Sequence, residues 1–413
     1  MSLAYICLIT VELVNLMKYL FVFLFILKSA WCLGNVAGDG PRLRDIVLGF
    51  NAIAPLIQNL ENPASISLFR NCTWTLSNMC RGKPQPPLSL LASALPILTS
   101  ILFQNRDVET MVDATWALSY ISDGENTRIQ AVVDTGVVPY LTNILSSDHI
   151  QAVVPSLRTL GNIVSGDDKQ TQCVIDANVL TALVPLLSHA KKNIRKETCW
   201  LLSNIAAGTF DQLNQLVNTP HLLPRVLEQL SSSSEWDVRK EACWVVSNLA
   251  SVGQSSHIHE KLVEYGVISP LCELLSTADV KVLLVAMEAL EAILKMGGIK
   301  NILRFTQLID EAGGIDLLEH LQEHESPSVY QKAVSMIENY FGGEDENVES
   351  ENIAPSTIES NGVASFAFGM GGANGNSNND IHKSANSSSS FNFGGPKQMS
   401  DSTNKQSIFQ FGI

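Results

Sequence analysis

The stretch KEACWVVSNLAS, residues 240–251, places Trp244 and Asn248 four residues apart. Residues separated by four positions lie on the same face of an α-helix, so this stretch predicts a helix that presents an indole and a carboxamide side by side. Five of the six tryptophans in the chain belong to copies of this motif, which indicates a repeating structure. The other copies are AWCLGNVAGDG (30–40), CTWTLSNMCRG (72–82), DATWALSYISDG (113–124) and KETCWLLSNIAAG (196–208).

Two copies depart from the motif at one position each. DATWALSYISDG has Tyr120 in place of the asparagine, and PSLRTLGNIVSGDD (155–168) has Arg158 in place of the tryptophan. With these replacements counted, the markers stand at positions 31, 74, 116, 158, 200 and 244, in steps of 42 to 44 residues. Weaker echoes follow in AMEALEAIL, which places Met287 and Glu291 at a next step of 43 residues, and in KAVSMIENYF. A period near 42 is typical of armadillo and HEAT helical repeats.

A second pattern lies between the markers. Each copy begins at or near a glycine or asparagine, which suits a helix break, and continues with apolar residues at helical spacing. Each unit is therefore predicted to hold a short helix, a turn, a second helix and a third helix with the marker. Three helices per unit favour an armadillo solenoid, which is all-α and forms a right-handed superhelix. The copies are GFNAIAPLIQNL (49–60), GVVPYLTNILSS (136–147), NVLTALVPLLSH (178–189), GVISPLCELLST (266–277) and GGIDLLEHLQ (313–322).

The chain divides by composition into three parts. Residues 31–343 are predicted to form about eight armadillo repeats, the first of them incomplete. Residues 1–30 are an atypical hydrophobic segment with nine consecutive apolar residues, fewer than the roughly twenty that span a bilayer. Two explanations stay open: a foreign or misjoined start, or a membrane or targeting segment.

Residues 344–413 form the third part. They begin with an acidic run and continue rich in serine, asparagine and glycine, which predicts a disordered tail. Three phenylalanine words, FAFG at Phe366, FNFG at Phe391 and FQFG at Phe409, resemble the FG repeats of nucleoporins. Chance in a low-complexity tail explains these words equally well.

The composition restricts the function. A net charge of −14 and a pI of about 5.0 disfavour nucleic acid as the main partner, because phosphate binding needs a cationic surface, and suit a basic peptide or protein. The sequence has no phosphate-binding loop, no G-x-S-x-G motif and no metal-ligand spacing, so neither catalysis nor a cofactor is expected. No C-x-x-C pair occurs among the eight cysteines, and Cys199 and Cys243 are expected to be buried and reduced.

The paired indoles and carboxamides suit an extended basic peptide. Asparagine carries both a donor and an acceptor, which match the N–H and C=O groups of a peptide backbone. Neighbouring indoles would form slots for lysine or arginine stems, with a cation–π attraction of roughly 0.5–2 kcal/mol per slot. Carboxylates stand at the expected slot edges, three residues before a marker or shortly after an asparagine: Asp39, Asp113, Asp168, Glu197 and Glu241.

Each of these residues has a simpler explanation when taken alone. A single tryptophan more often packs in a core, and a single carboxylate is more often a solvated surface charge. The repetition of a polar partner four residues after the indole argues against core packing for the set. Trp236, which lies outside the motif, is expected to pack at a loop.

The motifs resemble those of importin-α (karyopherin-α), the adaptor for lysine- and arginine-rich nuclear localisation signals. The resemblance covers residues 30 to 343 and includes the replacements at Tyr120 and Arg158. It implies two signal-binding sites, both of which a signal with two basic clusters would occupy, and it pairs Asp39 with a critical lysine of the signal. The major site would comprise Trp31, Asn35, Asp39, Trp74, Asn78, Asp113 and Trp116, and the minor site Arg158, Asn162, Asp168, Glu197, Trp200, Asn204, Glu241, Trp244 and Asn248.

The start of the sequence departs from the family pattern. No arginine-rich importin-β-binding segment precedes the repeats, the tryptophan–asparagine helix of the first repeat is absent, and Lys28 stands where an acidic residue is expected before Trp31. The chain is therefore expected to bind signals in a major site truncated on one side. Binding is expected without autoinhibition and without recruitment of importin-β.

The resemblance also implies partners and a location. An export receptor with Ran-GTP would meet the last repeats and the acidic run, and the protein would shuttle between cytoplasm and nucleus. The phenylalanine words would make transient contacts with transport receptors, and nucleoporins are a further candidate partner. Nucleic acid and membranes are not expected partners. Two alternatives stay open. One is an armadillo scaffold for other protein–protein interactions, whose grooves are usually basic and lack the regular tryptophan–asparagine repeats. The other is a membrane-tethered or non-importing variant of importin-α.

Overall fold

The computed structural model describes residues 24–104, 107–251 and 256–342, and every regular element in these ranges is a helix. Most helices follow one another in groups of three, each group with a long third helix. The tail, its phenylalanine words and most of the hydrophobic N-terminal segment lie outside the described residues. The first groups contain α1 (Leu24–Gly38), α2 (Pro41–Gly49), α3 (Ile53–Glu61), α4 (Ile66–Cys80), α5 (Leu88–Leu91), α6 (Leu95–Gln104), α7 (Val108–Ser122), α8 (Asn126–Val133), α9 (Val138–Leu145) and α10 (Ile150–Val164).

The later groups repeat the arrangement. Two short 3₁₀ segments, Ala92–Ala94 and Pro185–Ser188, extend the helices beside them. The remaining helices are α11 (Asp168–Asp176), α12 (Val179–Leu183), α13 (Lys192–Ala206), α14 (Phe210–Asn218), α15 (Leu222–Leu230), α16 (Trp236–Ala250), α17 (Ser256–Glu264), α18 (Ile268–Leu274), α19 (Val280–Glu311), α20 (Gly314–Leu321) and α21 (Pro327–Tyr340).

The third helices stack side by side along the solenoid. From α4 onward, α7, α10, α13, α16 and α19 each pack against the preceding third helix. Several begin at a polar cap: the Ser65 hydroxyl accepts a hydrogen bond from the Leu68 N–H at 3.1 Å, and the Asp107 carboxylate accepts one from the Thr110 N–H at 3.0 Å. Such caps satisfy backbone donors that a helix start leaves free. The armadillo solenoid predicted from the period is confirmed.

The cap positions correct the predicted register of α19. Trp116 lies nine residues after the cap Asp107, and Trp244 lies nine residues after the cap of its own helix. Counting the same nine residues from the cap Asp279 leads to Glu288, which is exposed, whereas Met287 is 0% exposed and belongs to the core. The last step is therefore 44 residues, and the expectation that Met287 and Glu291 continue the tryptophan and asparagine positions was wrong.

The core lies between the helix layers and contains the expected cysteines. Cys199 and Cys243 are both 0% exposed, which confirms their predicted burial. Burial raises the pKa of the Cys243 thiol to about 12, so the thiol is protonated at neutral pH. Trp236 is the first residue of α16 rather than part of a loop, and it is 37% exposed.

No single helix among the described residues combines the length and apolar character that crossing a membrane requires. Two consecutive helical segments together have the length and apolar composition to cross a membrane, and nothing beyond length and composition supports this. They are Asp168–Asp176 and Val179–Ser188, and they meet at a 69° bend.

Candidate functional site

One surface of the solenoid carries the repeated motif, and we call it the third-helix surface. It is formed by two parallel rows of side chains, one residue of each row on each third helix from α1 to α16. The marker row is Trp31, Trp74, Trp116, Arg158, Trp200 and Trp244, and the carboxamide row is Asn35, Asn78, Tyr120, Asn162, Asn204 and Asn248.

The indoles are half-buried because they lie across the preceding third helix. A Cβ atom placed on Gly34 would lie 2.3 Å from Cζ3 of Trp74, and one placed on Gly161 would lie 2.2 Å from Cζ3 of Trp200. Any residue larger than glycine at these two positions would therefore displace the ring. Trp74 and Trp200 are neither core residues nor fully exposed, whereas Trp31 on the first described third helix is 53% exposed.

The carboxamides connect each third helix to the one before it. The Asn78 amide donates to the Gly34 carbonyl at 3.1 Å, and the Asn248 amide donates to the Ser203 carbonyl at 2.8 Å. Asn204 makes the same bond to the Gly161 carbonyl at 3.4 Å. Each amide has two N–H donors and one acceptor oxygen, and these bonds use one donor.

Asn162 is the most deeply buried member of the row. It is 7% exposed, and its amide donates to the Ser119 carbonyl at 2.9 Å and to the Ser122 hydroxyl at 3.1 Å. From the sequence, the asparagines were expected to bind a peptide ligand alone. The structure adds a role in holding the stack together, and at Asn162 this role uses most of the side chain.

Two carboxylates on the surface are partly buried without a direct ion pair. Asp113 and Glu241 each lie three residues before a marker tryptophan, and among the described residues neither carboxylate makes an ion pair or a hydrogen bond. Burial raises the pKa of Asp113 to about 7, with a further increase from the charges of Glu109 and Asp107. Burial also raises the pKa of Glu241 to about 7, against the opposite effect of nearby cations such as Lys196. A cation brought to either site would relieve this unfavourable burial of charge.

A third carboxylate, which also lies three residues before a marker tryptophan, forms an ion pair with an arginine of the chain. Glu197 is 6% exposed and accepts two hydrogen bonds from the Arg158 guanidinium, one of them from Nε at 2.8 Å. The guanidinium carbon also lies 5.5 Å from the centre of the Trp200 ring. Arg158, Glu197 and Trp200 thus form one unit in the middle of the surface.

Tyr120 interrupts the carboxamide row beside this unit. Its ring stacks on Trp116 with centroids 5.8 Å apart and an interplanar angle of 24°. Both replacements noted in the sequence therefore fall at the centre, between α7 and α13. They divide the third-helix surface into a part containing Asp113 and a part containing Glu241.

The remaining predicted site residues lie at the borders of the surface. Asp39 follows the end of α1 and is exposed, and Asp168 is the exposed first residue of α11, a first helix of its group. Lys281 on α19, which sequence analysis missed, places its Nζ 5.3 Å from the centre of the Trp244 ring. The glycines beneath Trp74 and Trp200 were also missed, although the LGN spelling at 33–35 and 160–162 marks both positions.

Family models match four stretches of the chain. The armadillo/β-catenin-like repeat matches residues 126–165 and 167–207, and the atypical armadillo repeat matches residues 304–356. The HEAT repeat matches residues 222–253. The matched residues contain α15 and α16, and α14 precedes them, so this group has three helices like its neighbours.

Curated relatives of this chain are named as importin alpha subunits. Importin subunit alpha-2 of Arabidopsis thaliana is 47% identical over 352 residues, which cover 83% of this chain and 64% of the relative. Importin subunit alpha-1b of Oryza sativa subsp. japonica is 41% identical, with coverages of 78% and 60%. The probable importin subunit alpha-A of Dictyostelium discoideum is 38% identical, with coverages of 82% and 64%. The chain thus spans about three fifths of the length of these relatives.

Solved structures with the same fold include designed proteins. An engineered protein matches with a TM-score of 0.67 and 26% identity, covering 76% of this chain and 74% of its own. A designed armadillo repeat protein, solved in complex with the peptide (KR)4, matches with a TM-score of 0.53 and 32% identity, covering 59% of this chain and 98% of its own.

Proposed function

This chain belongs to the importin-α family of armadillo-repeat proteins, and from that premise we propose that it is a nuclear import adaptor. Its ligands are lysine- and arginine-rich nuclear localisation signals, which bind in extended form along the third-helix surface. The chain spans part of the length of its relatives, so import by the whole protein and residence in cytoplasm and nucleus belong to the same proposal.

The two half-buried carboxylates without an ion pair carry this proposal. Asp113 and Glu241 are half-buried, lie three residues before an indole and make no ion pair among the described residues, although the charge of Lys196 acts on Glu241 from a greater distance. Burying an ionised carboxylate is unfavourable unless a cation pairs with it. A lysine or arginine side chain from a bound peptide supplies that cation and places its stem against the half-buried indole.

The spacing of the surface suits an extended chain. Packed helices lie about 8–10 Å apart, and an extended peptide advances about 3.3–3.6 Å per residue. Successive third helices are therefore two to three peptide residues apart. The second N–H and the oxygen of each Asn78, Asn204 and Asn248 amide remain to bond the backbone of that peptide.

The central break favours signals with two basic clusters. The part of the surface around Trp74 and Asp113 would hold one cluster, and the part around Trp200, Glu241 and Trp244 would hold the other. Binding of an export receptor with Ran-GTP and of nucleoporins stays a prediction, and so does the expected failure to recruit importin-β, a partner expected for the family. Each needs its own binding experiment with the purified partner.

A titration of labelled peptide tests the proposal. A fluorescent lysine-rich signal peptide is added to the parent chain and to the Trp74→Ala, Trp200→Ala and Trp236→Ala variants, with anisotropy as the measurement. We expect the parent to bind the lysine peptide at least tenfold more tightly than a version with glutamine for lysine, because each lost contact is worth about 1 kcal/mol or more. Trp236 serves as the matched control, since it begins α16 and lies outside the marker row.

The variants distinguish binding at the third-helix surface from non-specific binding. Loss of affinity in Trp74→Ala or Trp200→Ala, with none in Trp236→Ala, supports the proposed site. Equal affinity of all four proteins would refute it, as would equal binding of the lysine and glutamine peptides.

A further inference from the structure

A cleft between the second helices α6 and α9 exposes two aromatic rings, and we call it the aromatic cleft. Phe103 of α6 and Tyr140 of α9 stack with centroids 4.0 Å apart and an interplanar angle of 28°. They are 42% and 41% exposed and line a volume of about 330 Å³. Adjoining apolar side chains that are open to solvent at a cleft mark a surface that an apolar ligand can cover.

The lining of the aromatic cleft suits an uncharged ligand. Among the described residues, its lining contains no aspartate, glutamate, lysine or arginine. Met111, which α7 contributes, and Ile144 of α9 form apolar parts of the lining. The cleft therefore differs in chemistry from the third-helix surface, where carboxylates lie beside the marker row.

The equivalent cleft one repeat earlier has a different rim. It lies between α3 and α6, has a volume of about 390 Å³ and carries the exposed carboxylate of Glu61 where the aromatic cleft carries Phe103. The two linings otherwise correspond at steps of 42 to 43 residues. The corresponding pairs are Leu60 and Leu102, Phe69 and Met111, and Ile101 and Ile144. A charged rim disfavours an apolar ligand, so the aromatic cleft is the better site for one.

The chain itself contains segments with the chemistry that fits this cleft. Each of the three phenylalanine words has two phenylalanines one residue apart, followed by glycine, and none of the words contains a charged residue. Aromatic rings pair by offset stacking or edge-to-face contact, so a phenylalanine can extend the stack of Phe103 and Tyr140. The words lie outside the described residues, on the chain that follows Gly342.

The length of this chain allows a word to reach the cleft. From α7 to α21 the third helices make five packed steps of about 8–10 Å, or about 40–50 Å in total. Phe409 lies 67 residues beyond Gly342. A chain rich in glycine and serine spans about 5–6 Å times the square root of its residue number, which gives about 40–50 Å for Phe409 and about 25–30 Å for Phe366. The last word matches the distance best.

We propose that the aromatic cleft is a docking site for the phenylalanine words of the chain's own tail, with the word at Phe409 as the main occupant. A phenylalanine of the word packs on the rings of Phe103 and Tyr140 and covers their exposed faces. Met111 and Trp116 lie five residues apart on α7, which places them about 140° apart around the helix. A docked word therefore leaves the third-helix surface free, and signal binding and tail docking are independent.

Fluorine NMR of the full chain tests the docking. The seven tyrosines are replaced by 3-fluorotyrosine, and Tyr140→Phe assigns the resonance of Tyr140. The parent is compared with a word variant, in which serine replaces the six phenylalanines of the words. We expect the Tyr140 resonance to differ between the two proteins, because the docked ring is lost. Tyr265, which is similarly exposed and follows α17, is the matched control and should not change.

A second pair of variants locates the contact. In a Phe103→Ser background, the word substitutions should no longer move the Tyr140 resonance, since half of the ring stack is missing. In a Phe210→Ser background they should move it as in the parent, because Phe210 is equally exposed, at 43%, but begins α14. The first comparison leaves the cleft unchanged, so it remains valid if Phe103→Ser folds poorly.

A free peptide measures the competition with the tail. The peptide QSIFQFGI, residues 406–413, is titrated into the parent and the word variant, with Tyr140 as the reporter. A tethered word with an effective concentration of about 1 mM and a dissociation constant of the same size fills the cleft about half of the time. The peptide should therefore bind the parent about twofold more weakly than the word variant, and QSISQSGI should bind neither.

Several outcomes would overturn the inference. An identical Tyr140 resonance in the parent and the word variant would do so, as would an equal change at Tyr265. Equal affinity of the free peptide for both proteins would mean that words from another protein, and not the tail, occupy the cleft. A difference at Tyr140 that grows with protein concentration would assign the occupant to a second copy. Failure of a basic signal peptide to bind the parent would refute the proposed function and leave this inference intact.

Discussion

Peptide binding should depend on pH through Asp113 and Glu241. Burial raises the pKa of each carboxyl group to about 7 in the free protein. A bound cation favours the ionised form, so it lowers the pKa in the complex, and binding releases protons. Affinity is therefore full above pH 7 and falls as the pH falls through 7.

The size of the effect follows from the ionised fractions. A carboxyl group with a pKa of about 7 is about nine-tenths ionised at pH 8 and about one-tenth ionised at pH 6. Each group should thus weaken binding about tenfold between pH 8 and pH 6 when its pKa in the complex lies well below 6. At pH 7 each group is half-ionised, so a peptide that pairs with both should release about one proton.

Calorimetry measures both quantities. Titration of a two-cluster basic peptide in buffers of different ionisation enthalpy gives the number of protons released, and titrations from pH 6 to pH 8 give the affinities. Asp113→Asn and Glu241→Gln should each remove about half of the proton release and flatten the pH profile. Constant affinity across this range, with no protons released, would refute the reasoning that these carboxylates receive the peptide cations.

Three further predictions concern stability. Gly161→Ala, whose new Cβ would lie 2.2 Å from a Trp200 ring atom, should lower the free energy of unfolding in urea by about 1–3 kcal/mol and weaken peptide binding. The matched Gly49→Ala, with nothing within 4 Å of the new atom, should be neutral, so equal losses would contradict the close packing. Asn162→Ala should cost about 1–3 kcal/mol in the same assay, because two buried hydrogen bonds are lost; an unchanged midpoint would exclude its role between helices. Asp113→Asn should raise the melting temperature by about 2–4 °C at pH 8 and less at pH 5, because a pKa raised from the ordinary 3.8 to about 7 on folding makes the carboxyl group increasingly destabilising as the pH rises from about 4 to 7; an equal rise at both pH values would contradict the raised pKa.

The repeat, the three-helix unit and the identity of the surface residues could be predicted from the sequence. Periodicity determines which residues share a helix face, and the 42- to 44-residue step determines how many such faces stack. The burial of Cys199 and Cys243 followed from their place on the apolar face. These features depend on the spacing of residues along the chain, which can be read from a single sequence.

Contacts between repeats were not predictable in the same way. The Asn78–Gly34 bond joins residues 44 apart, and the Arg158–Glu197 pair joins residues 39 apart. Such partners depend on how far each third helix is offset from the next, and periodicity within one helix does not specify this offset. The error at Met287 has a related origin, because a step one residue longer turns the marker position from a core face to the surface.

The most direct test of the central claim uses the six tryptophans as probes. The chain is labelled with 5-fluorotryptophan, and single Trp→Phe variants assign the six fluorine resonances. Titration with the two-cluster basic peptide should shift the resonances of Trp74, Trp116, Trp200 and Trp244 and leave Trp236 unchanged. A peptide that binds without moving the marker-row resonances, or that moves only Trp236, would contradict the assignment of the third-helix surface as the signal-binding site.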